Sequence, residues 1–368
     1  FEPANARPLA PPQVGGTLRV AALNVLNYFN TFDDGDGATP GCHPRGIDSD
    51  CRGARSAAEF ERQAAKTVAT LVALDADVVG LVEIENDGYG PGSALRDLVD
   101  RLNAAAGHIA YALLDVDART GRVGAAGGDA IRVAMIYRPA RLRPVGVTAV
   151  LDDHSFVHAG DVVARNRPAL AQAFEDTRGA RFVLVMNHFK SKGGACDVPA
   201  RPDGEGECSA VRLVAAQQLL RWLAEDPTRS GDPDVLVMGD LNAYAMEAPI
   251  QAFVRAGFVD VVQRDAGVDG YTYAFAGQWG RLDHALASPG LARQVRRAAV
   301  WHVSADEPAV LDYTLGARSS PQAASMYAPD VFRNSDHDPV IVGVALADGA
   351  QAPCAPSSSC PVPVAGEE

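Results

Sequence analysis

The run Asn334-Ser335-Asp336-His337-Asp338-Pro339 sets a carboxylate beside an imidazole directly before a terminal apolar segment, Val340 to Ala345. Other apolar runs also meet acids, amides or histidines. Thr17 to Val25 contains Asn24, Val78 to Val82 leads into Glu83, Phe182 to Met186 is followed by His188, and Val235 to Met238 enters Gly239-Asp240-Leu241-Asn242. Arg281-Leu282-Asp283-His284 opens one more such run. Polar groups gathered at strand ends are where α/β folds place their sites. Any single one of these residues is ordinarily a turn residue or a helix cap. The specific signal is the combination of a buried strand running into Gly-Asp-x-Asn with Ser-Asp-His-Asp-Pro entering a terminal strand. Carboxylate, amide and imidazole together can orient water, hold a proton and meet developing negative charge, which is hydrolytic chemistry.

The elements that must position these groups interleave. Thr17 to Val25 alternates as a strand. Ser56-Ala57-Ala58-Glu59 has the capping-box pattern and opens a helix with Phe60, Ala64, Val68 and Leu71 on one face. Asp77 to Ile84 reads as a buried strand and Ser93 to Ala104 as a second helix, with Leu95, Leu98, Val99 and Leu102 inward. Ile131 to Arg138, Leu170 to Phe174 and Phe182 to Phe189 read as strands, and Ser209 is expected to cap a helix reaching about Leu223. Val235 to Met238, Leu282 to Ala287 and Val340 to Ala345 complete the strands. No repeat of 20–50 residues appears. One α/β domain over residues 17–348 is expected, with an extended lead-in at 1–16 and an irregular tail at 349–368.

The 368 residues carry a formal net charge of -13 and are 47% hydrophobic, ample for a large core. Acidity argues against tight passive nucleic-acid binding. It argues less against an enzyme whose bound cations meet the phosphate. Six cysteines form three sequence-local couples, Cys42 and Cys51, Cys196 and Cys208, Cys354 and Cys360. Neighbour pairing is the simplest of ~15 connectivities, and each short loop would gain roughly 2–3 kcal/mol. The alternative is zinc, but no couple has C-x-x-C spacing and His43 is isolated. Disulfides imply an oxidising compartment, secreted or extracellular, with periplasm or cell surface also open. The chain begins Phe-Glu-Pro-Ala-Asn without a signal peptide and is expected to be a mature or trimmed fragment. No apolar run approaches the ~20 residues of a membrane span, and no obligate protein partner is evident.

Several motifs together resemble the endonuclease/exonuclease/phosphatase superfamily, and within it the bacterial extracellular-nuclease branch. They are Asn-Val-Leu-Asn-Tyr-Phe-Asn-Thr (24–31), Cys-Arg-Gly-Ala (51–54), Phe-Glu-Arg-Gln (60–63), Glu-Ile-Glu-Asn (83–86) and Asn-His-Phe-Lys-Ser-Lys (187–192). The resemblance runs from about Thr17 to Leu346. It implies a DNase I-like fold, α/β (α+β): a four-layer sandwich of two mixed β-sheets flanked by helices. It implies that Asn24, Glu83 and Asp336 bind metal, all through hard oxygen donors suited to Mg²⁺, Mn²⁺ or Ca²⁺, Mg²⁺ foremost. Glu83 directly follows the apolar run and is preferred over Glu85; the two are expected to point apart. By the same resemblance Asp240 orients or deprotonates water, Asn242 holds that water or a phosphoryl oxygen, His337 meets the phosphate, and Asp283 fixes its tautomer. Asp240 and Asn242 would share a face if extended. His188 and Arg167 resemble phosphate contacts, while Lys190 and Lys192 flank the site. His284 is expected to point away.

The function implied is a secreted, metal-dependent nuclease acting on nucleic acid, DNA foremost. Three alternatives stand beside it: a phosphatase or sphingomyelinase-type phosphodiesterase, a catalytically inactive binding module, and a scaffold with no site. The polar loops 29–55 and 193–208 carry few aromatics, which favours a soluble substrate over a lipid surface. Asp33-Asp34-Gly35-Asp36-Gly37 lacks the downstream Glu of a calcium loop and is read as an ordinary loop. DNA against RNA and endo against exo cutting stay open.

Overall fold

A computed structural model describes residues 7–32, 41–42, 44, 51–202, 204–316 and 318–347. The third cysteine couple, the Asp33–Gly37 stretch and the tail lie outside them. The described residues form strands β1 (Leu18–Tyr28), β2 (Val78–Glu85), β3 (Ala112–Leu113), β4 (Ile131–Tyr137), β5 (Leu142–Leu151), β6 (Ala169–Asp176), β7 (Arg181–His188), β8 (Val235–Asp240), β9 (Val259–Asp260), β10 (Tyr273–Phe275), β11 (Gln278–Gly280), β12 (Asp283–Ala287), β13 (Val295–Val300) and β14 (Val340–Val344). One six-stranded sheet has the order β13-β14-β1-β2-β4-β3, the other β5-β6-β7-β8-β12-β9, and β10-β11 is a separate ribbon. Within these sheets β1–β2 and β7–β8 run parallel, and the remaining pairs are antiparallel.

The sheets pack face to face through Leu23, Leu81, Met135, Leu184, Met186 and Met238, all buried. Parallel pairs bury both strand faces, which is why Val78–Val82 and Val235–Met238 read as unbroken apolar runs. Helices Ala57–Leu74 and Ala94–Ala106 cover the first sheet. Helices Ser209–Leu223 and Ala248–Arg255 cover the second, where Leu219 and Phe253 meet Val185 and Val237. The result is the expected α+β sandwich of two mixed sheets between helical layers.

Local signals correctly set the first two helix starts. Ser56 Oγ accepts from Glu59 N and Ser93 Oγ from Arg96 N. Two caps differ from expectation. Glu59 does not return a bond to Ser56 N; its carboxylate accepts from Arg55 N (2.8 Å) and Leu315 N (2.7 Å), tying the helix start to a distant loop. Ser209 is not a cap either. The N-cap is Cys208, at φ 59 with no side-chain cap bond, and Ser209 Oγ instead accepts from Arg201 N. The disulfide sets that backbone, which a local pattern cannot report. Cys42–Cys51 and Cys196–Cys208 pair as neighbours. Two disulfides point to an oxidising environment. No helix among the described residues is long and apolar enough to cross a membrane.

Candidate active site

Register brings the chemistry to one end of both sheets. His188 closes β7 opposite Asp240 of β8, and Asp240 stands opposite Asp283 of β12. Three adjacent strands therefore present His188, Asp240 and Asp283 as one cross-strand row. His337 reaches this row from the loop before β14, donating from Nδ1 to Asp283 Oδ2 at 2.6 Å. Its Nε2 lies 3.9 Å from Asp240 Oδ2, and His188 Nε2 lies 3.7 Å from the same oxygen. Both distances exceed a direct hydrogen bond, so neither imidazole is bonded to Asp240.

The turn after β8 is built for this geometry. Gly239 has φ +116, and a Cβ there would sit 2.2 Å from the Asn187 carbonyl oxygen of the parallel neighbour. We expect Gly239→Ala to cost roughly 1–3 kcal/mol, read as a lower urea midpoint; an unchanged midpoint would show that the backbone relaxes freely. Asn242 does not continue an extended strand, contrary to the expectation of a shared face. It sits at φ 47, donates N–H to Asp240 Oδ1 (2.8 Å) and Nδ2–H to Phe189 O (3.1 Å). Its side chain therefore locks the turn, and its backbone orients Asp240.

Glu83 is a bulge. It has φ 69, and the β2–β4 register shifts between Val82 and Ile84. Its carboxylate accepts from Asn24 Nδ2 (3.1 Å) and Asn27 N (3.0 Å), and Oε1 lies 3.9 Å from His188 Nε2. A regular strand would put Glu83 and Glu85 on one face; the bulge is what parts them. Glu85 is fully buried and accepts from Asn30 and Thr31 N–H, holding the loop after β1.

Charge accumulates here. Burial, then the neighbouring Asp336, hold the Glu83 carboxyl above its ordinary range. Burial pushes Asp240 up to about 8; His337 pulls against this while Asp283 adds to it. Burial opposes charging His337, but Asp283 and Asp336 outweigh it and raise this imidazole well above its usual value. Burial, then Arg167, His337 and Arg52, depress His188 well below its usual value and keep it neutral.

The Endonuclease/Exonuclease/phosphatase family model matches residues 24–337. The chain belongs to that family. Its members are hydrolytic, mostly divalent-cation-dependent phosphoesterases. Solved structures agree in fold. A mannosyl-6-phosphatase from Bacteroides thetaiotaomicron superposes at TM-score 0.54 and 18% identity, covering 90% of this chain and 100% of its own. An endonuclease/exonuclease/phosphatase family protein from the same organism gives 0.52 and 18%, covering 88% and 96%. The human Nocturnin catalytic domain with bound sulfate gives 0.51 and 15%, covering 90% and 94%. No curated protein matches by sequence.

A family cation must find oxygen donors. No group of three or more His, Cys, Asp or Glu among the described residues stands in ligating geometry. The chemistry of Asn24, Glu83 and Asp336 nonetheless fits a hard ion. Burial first, and Asp336 after it, hold Glu83 up, and Asn24 adds an amide oxygen that accepts from Leu26 N.

The flanking cations stand differently. Arg167 Nε donates to Asp129 Oδ2 (3.0 Å), and its N–H meets the His188 carbonyl. Lys192 binds Glu247 and the Glu205 carbonyl, while Lys190 binds the Ser191 and Gly193 carbonyls. Lys190 thus fastens its own loop, while Lys192 ties that loop to the start of the helix Ala248–Arg255. His284 turns away, bonded to Asp260 (3.2 Å) and the Ala243 carbonyl (2.8 Å).

Three features were missed in the sequence. Thr272 Oγ1 accepts from Leu282 and Asp283 N–H. The Tyr273 ring lies 4.7 Å from that of His337, across an isolated bridge. Asp338, inside the quoted run, accepts from Val303, Ser304 and Ala305 N–H and pins the loop carrying His337. Only Asp338 had a signal, its place in the motif. A cavity of about 500 Å³, lined by Val183, Leu220, Val235 and Ser288 among others, lies at the opposite strand ends from this chemistry.

Proposed function

We propose that the chain is a secreted, divalent-cation-dependent nuclease that hydrolyses phosphodiester bonds of nucleic acid, DNA foremost, by in-line attack of water, within one domain spanning 17–348. The carrying observation is the convergence of His188, Asp283 and His337 on Asp240. Asp240 Oδ2 takes the proton of the attacking water while Asn242 N–H holds the other oxygen still. His337, charged and braced by Asp283, donates Nε2–H to a phosphoryl oxygen. Neutral His188 and the Arg167 guanidinium border the same phosphate. Asn24, Glu83 and Asp336 would hold the cation, which when bound neutralises phosphoryl charge. An inactive module usually lacks at least one such group, and all of them stand together here.

A second reading, the same chemistry on a lipid phosphodiester, has one observation in its favour. The expectation of few aromatics near the site concerned loops 29–55 and 193–208. The β10–β11 ribbon beside His337 instead exposes Phe275 (66%) and Trp279 (64%). Trp279 stacks on Tyr271 at 5.2 Å. Such rings can meet bases or enter a membrane interface. Circular plasmid, linear DNA, RNA, sphingomyelin vesicles and sugar phosphates, each tested with Mg²⁺, Mn²⁺ and Ca²⁺, discriminate. Nicking of the plasmid is the expected result. Phosphate or phosphocholine release with all polymers intact would overturn the nuclease reading.

A further inference from the structure

We propose that Arg52, delivered to the site by the Cys42–Cys51 strap, is a second phosphate-binding guanidinium that shares Asp129 with Arg167. This rests on the phosphoester reading above.

The geometry is a three-membered ion cluster. Arg167 Nε donates to Asp129 Oδ2 at 3.0 Å, and Arg52 Nη1 stands 3.6 Å from Asp129 Oδ1. Two guanidinium charges face one carboxylate, so the cluster keeps an excess positive charge beside His188. The Arg167 backbone N–H meets the His188 carbonyl, and both guanidinium charges disfavour protonation of that ring. Asp129 is itself fixed. Its Oδ1 accepts from Ile131 N (3.1 Å) and its carbonyl from Asn86 Nδ2 (3.0 Å). Arg52 remains available, with 36% of its side chain exposed against 12% for Arg167. A contact of 3.6 Å without a hydrogen bond is weak, whereas a phosphate accepts two parallel N–H bonds from a guanidinium.

The strap explains why Arg52 stands there. Residues 51–54 belong to no helix or strand, so nothing in secondary structure aims the side chain. Cys42 is fully buried against Phe29, Ala130 and Ile131, and its disulfide to Cys51 pins the residue before Arg52. On the other side Gly53, at φ +74, passes so close to β1 that a Cβ would lie 2.0 Å from the Asn27 carbonyl oxygen. Ala54 is buried next to it. Arg52 is therefore clamped between a covalent anchor and a backbone contact. The Asn27 that receives the strap is also the residue whose N–H holds Glu83. The disulfide acts as a positioning device as well as a staple.

The test measures inorganic phosphate binding by calorimetry at fixed Mg²⁺, with phosphate inhibition of DNA cleavage in parallel. Loss of a charge-assisted bond in Arg52→Ala should weaken phosphate at least about ten-fold. Arg52→Lys should recover part of that loss. KM for DNA should rise more than kcat falls. Arg221→Ala, an exposed arginine on the helix Ser209–Leu223, controls for net charge and should change nothing. Cys42→Ser with Cys51→Ser should cost the same affinity, and adding Arg52→Ala to that pair should cost little more. Phosphate affinity in Arg52→Ala within about two-fold of the parent, on an enzyme that cleaves DNA, would overturn the role of Arg52 alone. Full additivity of the strap and Arg52 changes would overturn the positioning claim. A parent that neither binds phosphate nor cleaves any phosphoester would remove the underlying reading together with this one.

Discussion

His337→Ala should lower turnover by on the order of 10²–10³-fold, the usual loss when one preorganised stabiliser of transition-state charge is removed. The ring is buried, and Asp283 holds Nδ1 at 2.6 Å, so Nε2 is left to face Asp240 and the substrate. Nothing else among the described residues occupies that position; Tyr273 packs on the ring and does not replace its N–H. The loss should fall on kcat, because the charge met by His337 grows as the bond to water forms. Near-UV circular dichroism should stay native, since the loop is held independently by Asp338 through Val303, Ser304 and Ala305. DNA cleavage by the variant at close to the parent rate would remove His337 from the mechanism.

The same residue has a pH signature. Burial disfavours its charge, but Asp283 and Asp336 overcome this and hold it above the ordinary histidine value. Activity that needs charged His337 is therefore present below that raised value and lost as pH climbs through it. Asp283→Asn removes a principal raising charge and should move the alkaline limb of kcat to lower pH. An alkaline limb that stays in place would assign it to another group.

Which parts of this arrangement were legible in the sequence follows from the range of the forces involved. Ser56 and Ser93 cap their helices through bonds spanning three residues, so the pattern alone sufficed. The interior strands announce themselves as apolar runs because parallel neighbours bury both faces. The edge strand β5 does not: Pro144, Gly146 and several exposed positions break its pattern, and only pairing with β6 makes it a strand. Strands β3 and β9 have two residues each and exist only through their partners. The site residues were named from motif, but their geometry was not available there. The left-handed backbone of Asn242 depends on Phe189, 53 residues away. The bulge at Glu83 answers to Asn27, 56 residues away. The pairing of Arg52 and Arg167 on Asp129 joins three segments distant in sequence.

Chelation should abolish turnover altogether, and Mg²⁺ or Mn²⁺ in excess over chelator should restore it. The argument is electrostatic. Glu83, Asp240, Asp283 and Asp336 converge on one end of the sandwich in a chain already at -13. A phosphodiester brings another negative charge into that field. Arg167 and Arg52 share Asp129, His337 is paired with Asp283, Lys190 is engaged by its own loop and Lys192 by Glu247. The protein's cations alone therefore do not offset the approach of the phosphate. Burial and Asp336 already hold Glu83 above its usual range, so this carboxylate favours taking up positive charge, as a proton or as a metal ion. Two readouts separate these. Cation binding should release protons, visible as a buffer-dependent heat in calorimetry. Glu83→Gln should weaken the cation and reduce that proton release. Because Glu83 also holds Asn27 N–H, its amide variant keeps an acceptor there and so tests charge without dismantling the bulge. Cleavage that persists at full rate in excess EDTA would overturn the assignment of Asn24, Glu83 and Asp336. It would also force the acidic cluster to be explained as a structural network, at a considerable cost in repulsion.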